Sequence, residues 1–411
     1  MEITTLYTYF KECGKVTTDT RNCPEGSMFI ALKGETFNGN AFAKQALEKG
    51  CRYAVVDEAE YAGSENIFLV DDCLKTLQDL AREHRRALGT PIIGITGTNG
   101  KTTTKELIAA VLQKRYNVLY TQGNLNNHIG VPLTLLAMDR NTEFGVVEMG
   151  ASAQKEIELL CSISQPNYGI ITNIGNAHLE GFGGKEGIAK GKGELFDWLE
   201  SSGGHAFVPM EDVKLCDMAL QRCNMMTEYY TRSIADGYKS HLSGDYNYYN
   251  IAAAVAVGRY FGIDTEHIAA AIESYIPDNN RSQEVVTEHQ NRVIIDCYNA
   301  NPSSMEVAIE NIASKKSERN LLILGDMLEL GEWSHDEHCR ILQLAAQVKN
   351  AELLLVGAEF LKAAHTLGID ATCCANSTEA TEWIAESKIS DTTILLKGSR
   401  GIKLEKIIDV L

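Results

Sequence analysis

Residues 92–104 read Ile92-Ile93-Gly94-Ile95-Thr96-Gly97-Thr98-Asn99-Gly100-Lys101-Thr102-Thr103-Thr104. An apolar run with strand character enters a turn punctuated by glycines, and a lysine, three threonines and an amphipathic stretch to about Tyr116 follow. That order predicts a strand, a phosphate-binding loop and a helix. Within Gly97-Thr98-Asn99-Gly100-Lys101-Thr102-Thr103 the glycines allow a tight turn that aims backbone N–H groups inward. Lys101 supplies a point charge for β/γ-phosphate oxygens, the Thr102 hydroxyl can hold Mg2+, and the helix adds its positive N-terminal dipole. The strict pattern G-x-x-x-x-G-K-[ST] begins with glycine where this chain has Ile95, so the loop is a shortened relative of the common one. A plain Gly-Thr-Asn-Gly turn with Lys101 in solvent is the alternative, but it leaves the ordered coincidence of strand, GK[ST] and helix unexplained.

Downstream of Pro91, strands and helices alternate, which predicts α/β architecture with a mostly parallel sheet. Glu148 ends the apolar strand Gly145-Val146-Val147-Glu148, at the edge where open α/β sheets bind ligands, and a carboxylate there can hold the nucleotide's magnesium. A strand-end glutamate in solvent is the bland reading. The next strand, Tyr168 to Ile174, runs into Gly175-Asn176-Ala177-His178 and places an imidazole at the same edge, although a lone histidine is more often structural. Ile188 to Phe196 reads as a helix whose lysines default to solvent. Residues 203–243 read weakly and are assigned no chemistry. Asn247 and Asn250 open an alanine-rich helix at a spacing that lets both face one ligand, or lets one of them cap the helix.

The flanks divide the chain into three expected domains, residues 1–88, 89–279 and 280–411. In the first, a small α/β unit, polar residues gather at run ends, among them Asp19, Thr20 and Arg21. A helix from Leu74 to Leu88 ends in basic residues, Gly89 and Pro91, a normal stop. The third reads as a doubly wound, Rossmann-like domain, but no G-x-G-x-x-G follows its strands, which argues against NAD. Capping boxes are expected at Ser303 with Glu306 and Ser334 with Glu337. His335, His338 and Cys339 sit in that second helix start without an HExxH pattern, weak grounds for a metal.

Composition narrows the field. The chain has 411 residues, 44% of them hydrophobic, enough for several packed cores. A net charge of −17 argues against a broad nucleic-acid-binding face, so any anionic ligand must be met by locally placed Lys and Arg. Eleven cysteines never fall in a C-x-x-C pair, and a reducing cytoplasm is the simplest setting. No basic-then-apolar leader begins the chain and no run approaches membrane-spanning length, so a cytoplasmic protein without membrane insertion is expected.

Taken in order, these motifs resemble the Mur ligases, ATP-dependent peptide synthetases of bacterial cell-wall assembly, over nearly the whole chain. The resemblance makes Ile95 a family trait. It implies that Glu148 holds magnesium, that His178 serves a second metal, that Asn247 and Asn250 lie in the nucleotide region, and that Arg281 and Asp296 reach ATP from the third domain. A carbamylated lysine bridging to the second magnesium is matched by Lys192, with Lys190 as fallback. Three segments point to the branch that adds D-alanyl-D-alanine to UDP-N-acetylmuramoyl-tripeptide: 124–132 with Asn124, Asn126 and Asn127; 296–302 with Tyr298, Asn299 and Asn301; and Leu324 to Gly331. The implied catalytic set is Lys101, His178, Lys192 and Arg281, with ATP and Mg2+ as cofactors. Asp19, Thr20 and Arg21 are expected to hold the UDP-sugar, since a pyrophosphate needs a local cation in an acidic chain. Asn40 stands where many relatives carry histidine. A monomer is expected. Another amide-forming relative, such as a folylpolyglutamate synthetase, and a non-catalytic ATP-binding regulator are the alternatives.

Overall fold

The computed structural model describes residues 1–277, 283–315 and 317–411, so Arg281 lies outside the described residues. Three sheets follow one another along the chain. The first pairs Val16–Thr17, Met28–Ile30, Tyr53–Val56 and Ile67–Leu69, all parallel. The second has six parallel strands in the order Met226–Tyr230, His205–Pro209, Tyr168–Ile171, Ile92–Thr96, Phe144–Glu148 and Val118–Tyr120. The third orders Gln283–Val286, Arg292–Asp296, Thr393–Lys397, Asn320–Gly325, Ala351–Val356 and Thr372–Cys374, with only the first pair antiparallel.

Every residue of Ile92–Thr96 and of Phe144–Glu148 is buried, as a strand covered by helices on both faces requires. Ile93, Ile95 and Val146 point into a core shared with the helices Lys101–Leu112 and Asn247–Tyr260. Ile92 and Val147 face the opposite core, shared with Gly130–Leu136, Glu156–Ser164 and Lys185–Ser202. The period-two alternation of each strand divides its side chains between these layers. The loop 97–100, Glu148 and the segment after Ile171 therefore emerge together at one sheet edge.

The first domain is wired to the second by the helix Cys73–Leu88, whose stop at Gly89 has φ 67°. Its basic end is buried, not solvated. Arg85 donates to the Ser164 and Gln165 carbonyls at 2.9 and 3.1 Å and to Asn167 Oδ1 at 2.8 Å, so a guanidinium caps the carbonyl end of a neighbouring helix.

Both expected capping boxes are corrected. Helix Pro302–Ser314 starts one residue earlier than a Ser303 cap would allow, because Pro302 suits the first helical position and Asn301 closes a box with Ser304. The Ser303 hydroxyl instead accepts from the Asn176 N–H at 2.7 Å, across the domain junction. Ser334 follows a 3-10 turn at Gly331–Trp333, which makes it the first residue of Ser334–Ala345 and leaves no side-chain cap. Buried His338 accepts from the Met327 N–H at 3.0 Å and donates to the Ser334 carbonyl at 2.7 Å, so both ring nitrogens serve the fold.

Candidate active site

Positive φ values of 142° at Gly97 and 77° at Gly100 shape the phosphate loop. A Cβ at Gly97 would stand 2.0 Å from Thr172 Oγ1, and one at Gly100 2.5 Å from Asn250 Oδ1, so both positions exclude larger residues. The loop is strapped to the end of the neighbouring strand. Asn99 N–H donates to Asn173 Oδ1 at 3.0 Å, the Thr172 hydroxyl donates to the Asn99 carbonyl at 2.6 Å, and Thr98 Oγ1 exchanges bonds with the Gly175 backbone. Lys101 Nζ folds back on the Gly97 and Thr98 carbonyls at 2.8 and 3.0 Å, above the rim where phosphates would sit.

Two oxygens beside this loop are buried without a hydrogen-bond partner, Thr102 Oγ1 and Glu148 Oε2, in residues 4% and 1% exposed. Glu148 is aimed by its surroundings: Oε1 accepts from Asn126 Nδ2 at 2.8 Å and the backbone N–H donates to Thr121 Oγ1 at 3.0 Å. Lys105 Nζ stands 4.0 Å from Oε2 and donates to the Thr121 carbonyl at 2.8 Å. A hard cation would satisfy both orphaned oxygens, and hydroxyl plus carboxylate is the donor chemistry Mg2+ accepts alongside phosphate oxygens.

His178 lies at the same edge with φ 51°, and its Nδ1 makes an ion-pair contact with Glu329 of the third domain. Burial, with Lys101 and Lys192 nearby, lowers its pKa against the pull of Glu329. Lys192 corrects the solvated-lysine expectation: it is 2% exposed, packs over the Phe182 ring at 5.0 Å and donates to the Ala151 carbonyl at 3.3 Å. Burial, reinforced by the Lys101 charge, drives its pKa well down and favours the neutral amine. Lys190 faces solvent.

These groups wall a cavity of about 1120 Å³ that also takes Asn247, Asn250, Asp296, Tyr298 and Asn299. Asn250 donates to Asn247 Oδ1 at 2.8 Å and accepts from Thr104 Oγ1 at 3.0 Å, so the pair is pre-ordered against the phosphate-loop helix. Asn126 and Asn127 reach the cavity wall, and Asn127 Oδ1 also accepts from the Gly130 N–H; Asn124 is exposed and outside the wall. Asn301 faces the loop itself, its Nδ2 donating to Asn99 Oδ1 at 2.8 Å.

Asp19, Thr20 and Arg21 do not reach this cavity. Arg21 grips its neighbour Asp19 through Nε and Nη2 contacts of 2.7 to 3.0 Å on the surface of the first domain, which holds the Asp19 carboxyl down at about 2. Asn40 is buried in its own network, donating to Asp57 Oδ1 at 2.8 Å and accepting from the Asp57 N–H at 2.9 Å.

Two wall elements carried no signal in the sequence reading. Pro209 ends a strand at the same sheet edge and leads Glu211 and Asp212 to the cavity; the carboxyl-edge rule applied to residues 205–209 would have found them. Lys397, 1% exposed, ends another strand and pairs with Asp296 Oδ2 at 2.5 Å.

Comparison with known proteins places these features in company. The Mur ligase middle domain family matches residues 95–235, the Mur ligase glutamate ligase domain matches 280–400, and the Mur ligase family catalytic domain matches 13–85. A UDP-N-acetylmuramoyl-tripeptide--D-alanyl-D-alanine ligase of Bacillus subtilis is 36% identical, covering 96% of this chain and 92% of that protein. Its Escherichia coli namesake is 31% identical, covering 96% and 93%. A crystal structure of MurF from Acinetobacter baumannii superposes with a TM-score of 0.86 at 28% identity, covering 96% and 92%.

Proposed function

This chain belongs to the Mur ligase family, and on that premise we propose that it joins D-alanyl-D-alanine to UDP-N-acetylmuramoyl-tripeptide, an ATP-dependent, ADP-forming step of peptidoglycan precursor synthesis. The observation that carries the reading is the single cavity in which the phosphate loop meets loops of the third domain. In the reaction, the tripeptide's terminal carboxylate takes the γ-phosphoryl group of ATP and ADP leaves. The amine of the dipeptide then attacks the acyl carbon, the C–N bond forms as the bond to phosphate oxygen breaks, and the amine's proton departs.

The protein's part is placement and charge. Lys101 and the N–H groups of residues 97–102 hold the triphosphate, while Asn247, Asn250 and Asp296 line the nucleotide end. Arg281 stays a candidate for the phosphoryl group, from outside the described residues. Thr102 and Glu148 would hold Mg2+, with His178 and a carbamylated Lys192 toward a second ion. Bound there, the metal neutralises charge on the phosphates. The third domain, tied to the loop through Asn301 and Ser303, shields the acyl phosphate from water. Asn126, Asn127, Tyr298 and Asn299 stand where substrate groups would meet, and Asn301 acts through Asn99. One chain supplies every residue named, so a monomer suffices, and ATP with UDP-sugar substrates suits the cytoplasm. Among the described residues no helix is long and apolar enough to cross a membrane.

Phosphate release tests the function. Turnover that needs ATP, the UDP-tripeptide and D-alanyl-D-alanine together supports it; ATP binding without substrate-dependent turnover fits a regulator and ends the proposal. Assays with lysine- and diaminopimelate-ended tripeptides then identify the acceptor.

For Lys192, burial and a depressed pKa favour the neutral amine that reacts with carbon dioxide. Lys192→Ala should be slow, and acetate or bicarbonate should restore part of its rate. A variant as fast as the parent removes the carbamate. In the first domain, Arg21→Ala should raise KM for the UDP substrate more than KM for ATP; equal changes would move the UDP site away from Arg21.

A further inference from the structure

Beside the large cavity lies a second one of about 180 Å³, and the two share His178 and Asn299 as wall residues. Apart from Ala177 and His178, its walls come from three third-domain loops that follow the ends of Arg292–Asp296, Asn320–Gly325 and Thr393–Lys397. Ser399 ties those loops together: its hydroxyl accepts from the Leu328 N–H at 3.0 Å, and its own N–H donates to the Asp326 carbonyl at 3.2 Å. Close approach is built in, because a Cβ at Gly401 would stand 2.9 Å from Leu328 Cδ1.

The wall carries one carboxylate and one guanidinium. Glu329 sits on the His178 side, held with φ 62°. Arg400 is laid over the Tyr298 ring, 5.3 Å from its centroid, which orients its donors without engaging them. A small recess with fixed charges of opposite sign, opening at His178 toward the phosphoryl-transfer cavity, matches a short zwitterion whose amine must reach an acyl carbon.

We infer that this recess is the subsite for the incoming dipeptide, with Glu329 receiving the ammonium and Arg400 the terminal carboxylate. The inference rests on the ligase reading and goes beyond it by assigning two specificity residues. Placing the ammonium beside Glu329 brings the nitrogen to the wall shared with the large cavity, where loss of its proton leaves the nucleophile facing the acyl phosphate. Arg400 makes the site selective for a free carboxyl end.

The experiment compares D-alanyl-D-alanine with D-alanyl-D-alaninamide in the phosphate-release assay. The parent should use the amide about 10- to 100-fold less efficiently in kcat/KM, the span expected for a charge-assisted pair. Arg400→Met should lose a similar factor on the acid and little further on the amide, so the discrimination collapses while KM for ATP is unchanged. Arg400→Lys should restore part of it. Glu329→Gln should raise KM for the dipeptide more than KM for the UDP-tripeptide. An Arg400→Met enzyme that still prefers the acid by the parental factor overturns the subsite. A parent whose phosphate release is indifferent to the dipeptide overturns the ligase reading itself, which separates the two failures. Arg400 is exposed, so a thermal melt matching the parent's is the expected check on folding.

Discussion

Lys101→Ala should cut ATP-dependent turnover by about 10²–10³-fold, the loss typical of removing one preorganised electrostatic contact from a transition state. In the structure the ammonium bonds the Gly97 and Thr98 carbonyls, within the loop it serves. A triphosphate entering the loop would draw it outward and exchange those carbonyls for phosphate oxygens. The alanine variant loses that exchange and leaves the loop's straps at Thr172, Asn173 and Gly175 intact. Its melting temperature should therefore stay close to the parent's. Near-parental turnover would show that the loop does not hold the reacting phosphate.

Thr102→Val should separate stability from activity in opposite directions. The threonine hydroxyl is buried and unpaired, and such a group costs about 1–3 kcal/mol. Valine keeps the shape and removes the orphan, so unfolding in the absence of nucleotide should occur at the same or a higher temperature. With a magnesium ligand lost, half-maximal turnover should need about tenfold more Mg2+ or beyond. Titration with paramagnetic Mn2+ in the presence of ADP reads the same weakening without turnover. A valine variant with parental metal affinity would take Thr102 out of the metal site.

What the sequence made legible was local or edge-defined. The loop 97–102 is one turn whose glycines and lysine carry their own geometry, and the doubly wound architecture follows from alternating strand and helix patterns. Glu148 and His178 were visible because the ends of parallel strands converge on one edge. The rest depends on contacts distant in the chain. Lys192 reads as a surface lysine on its helix; Phe182 and the Ala151 carbonyl make it a buried one. Arg85 reads as a helix stop and is a cap for another helix, a role set by Ser164 some eighty residues on. Ser303 was read as a cap because Ser-x-x-Glu is a common signature, yet Asn301 with Pro302 competes better for the same helix end.

Asn301 has a further consequence. Its bond to Asn99 joins the third domain to the loop that holds ATP, so domain position and loop geometry vary as one coordinate. Coupling of that kind is reciprocal: if nucleotide in the loop favours the docked third domain, a ligand that favours docking must tighten nucleotide binding by the same factor. Two small molecules that never touch would then bind as a pair, through a single amide contact between two asparagines.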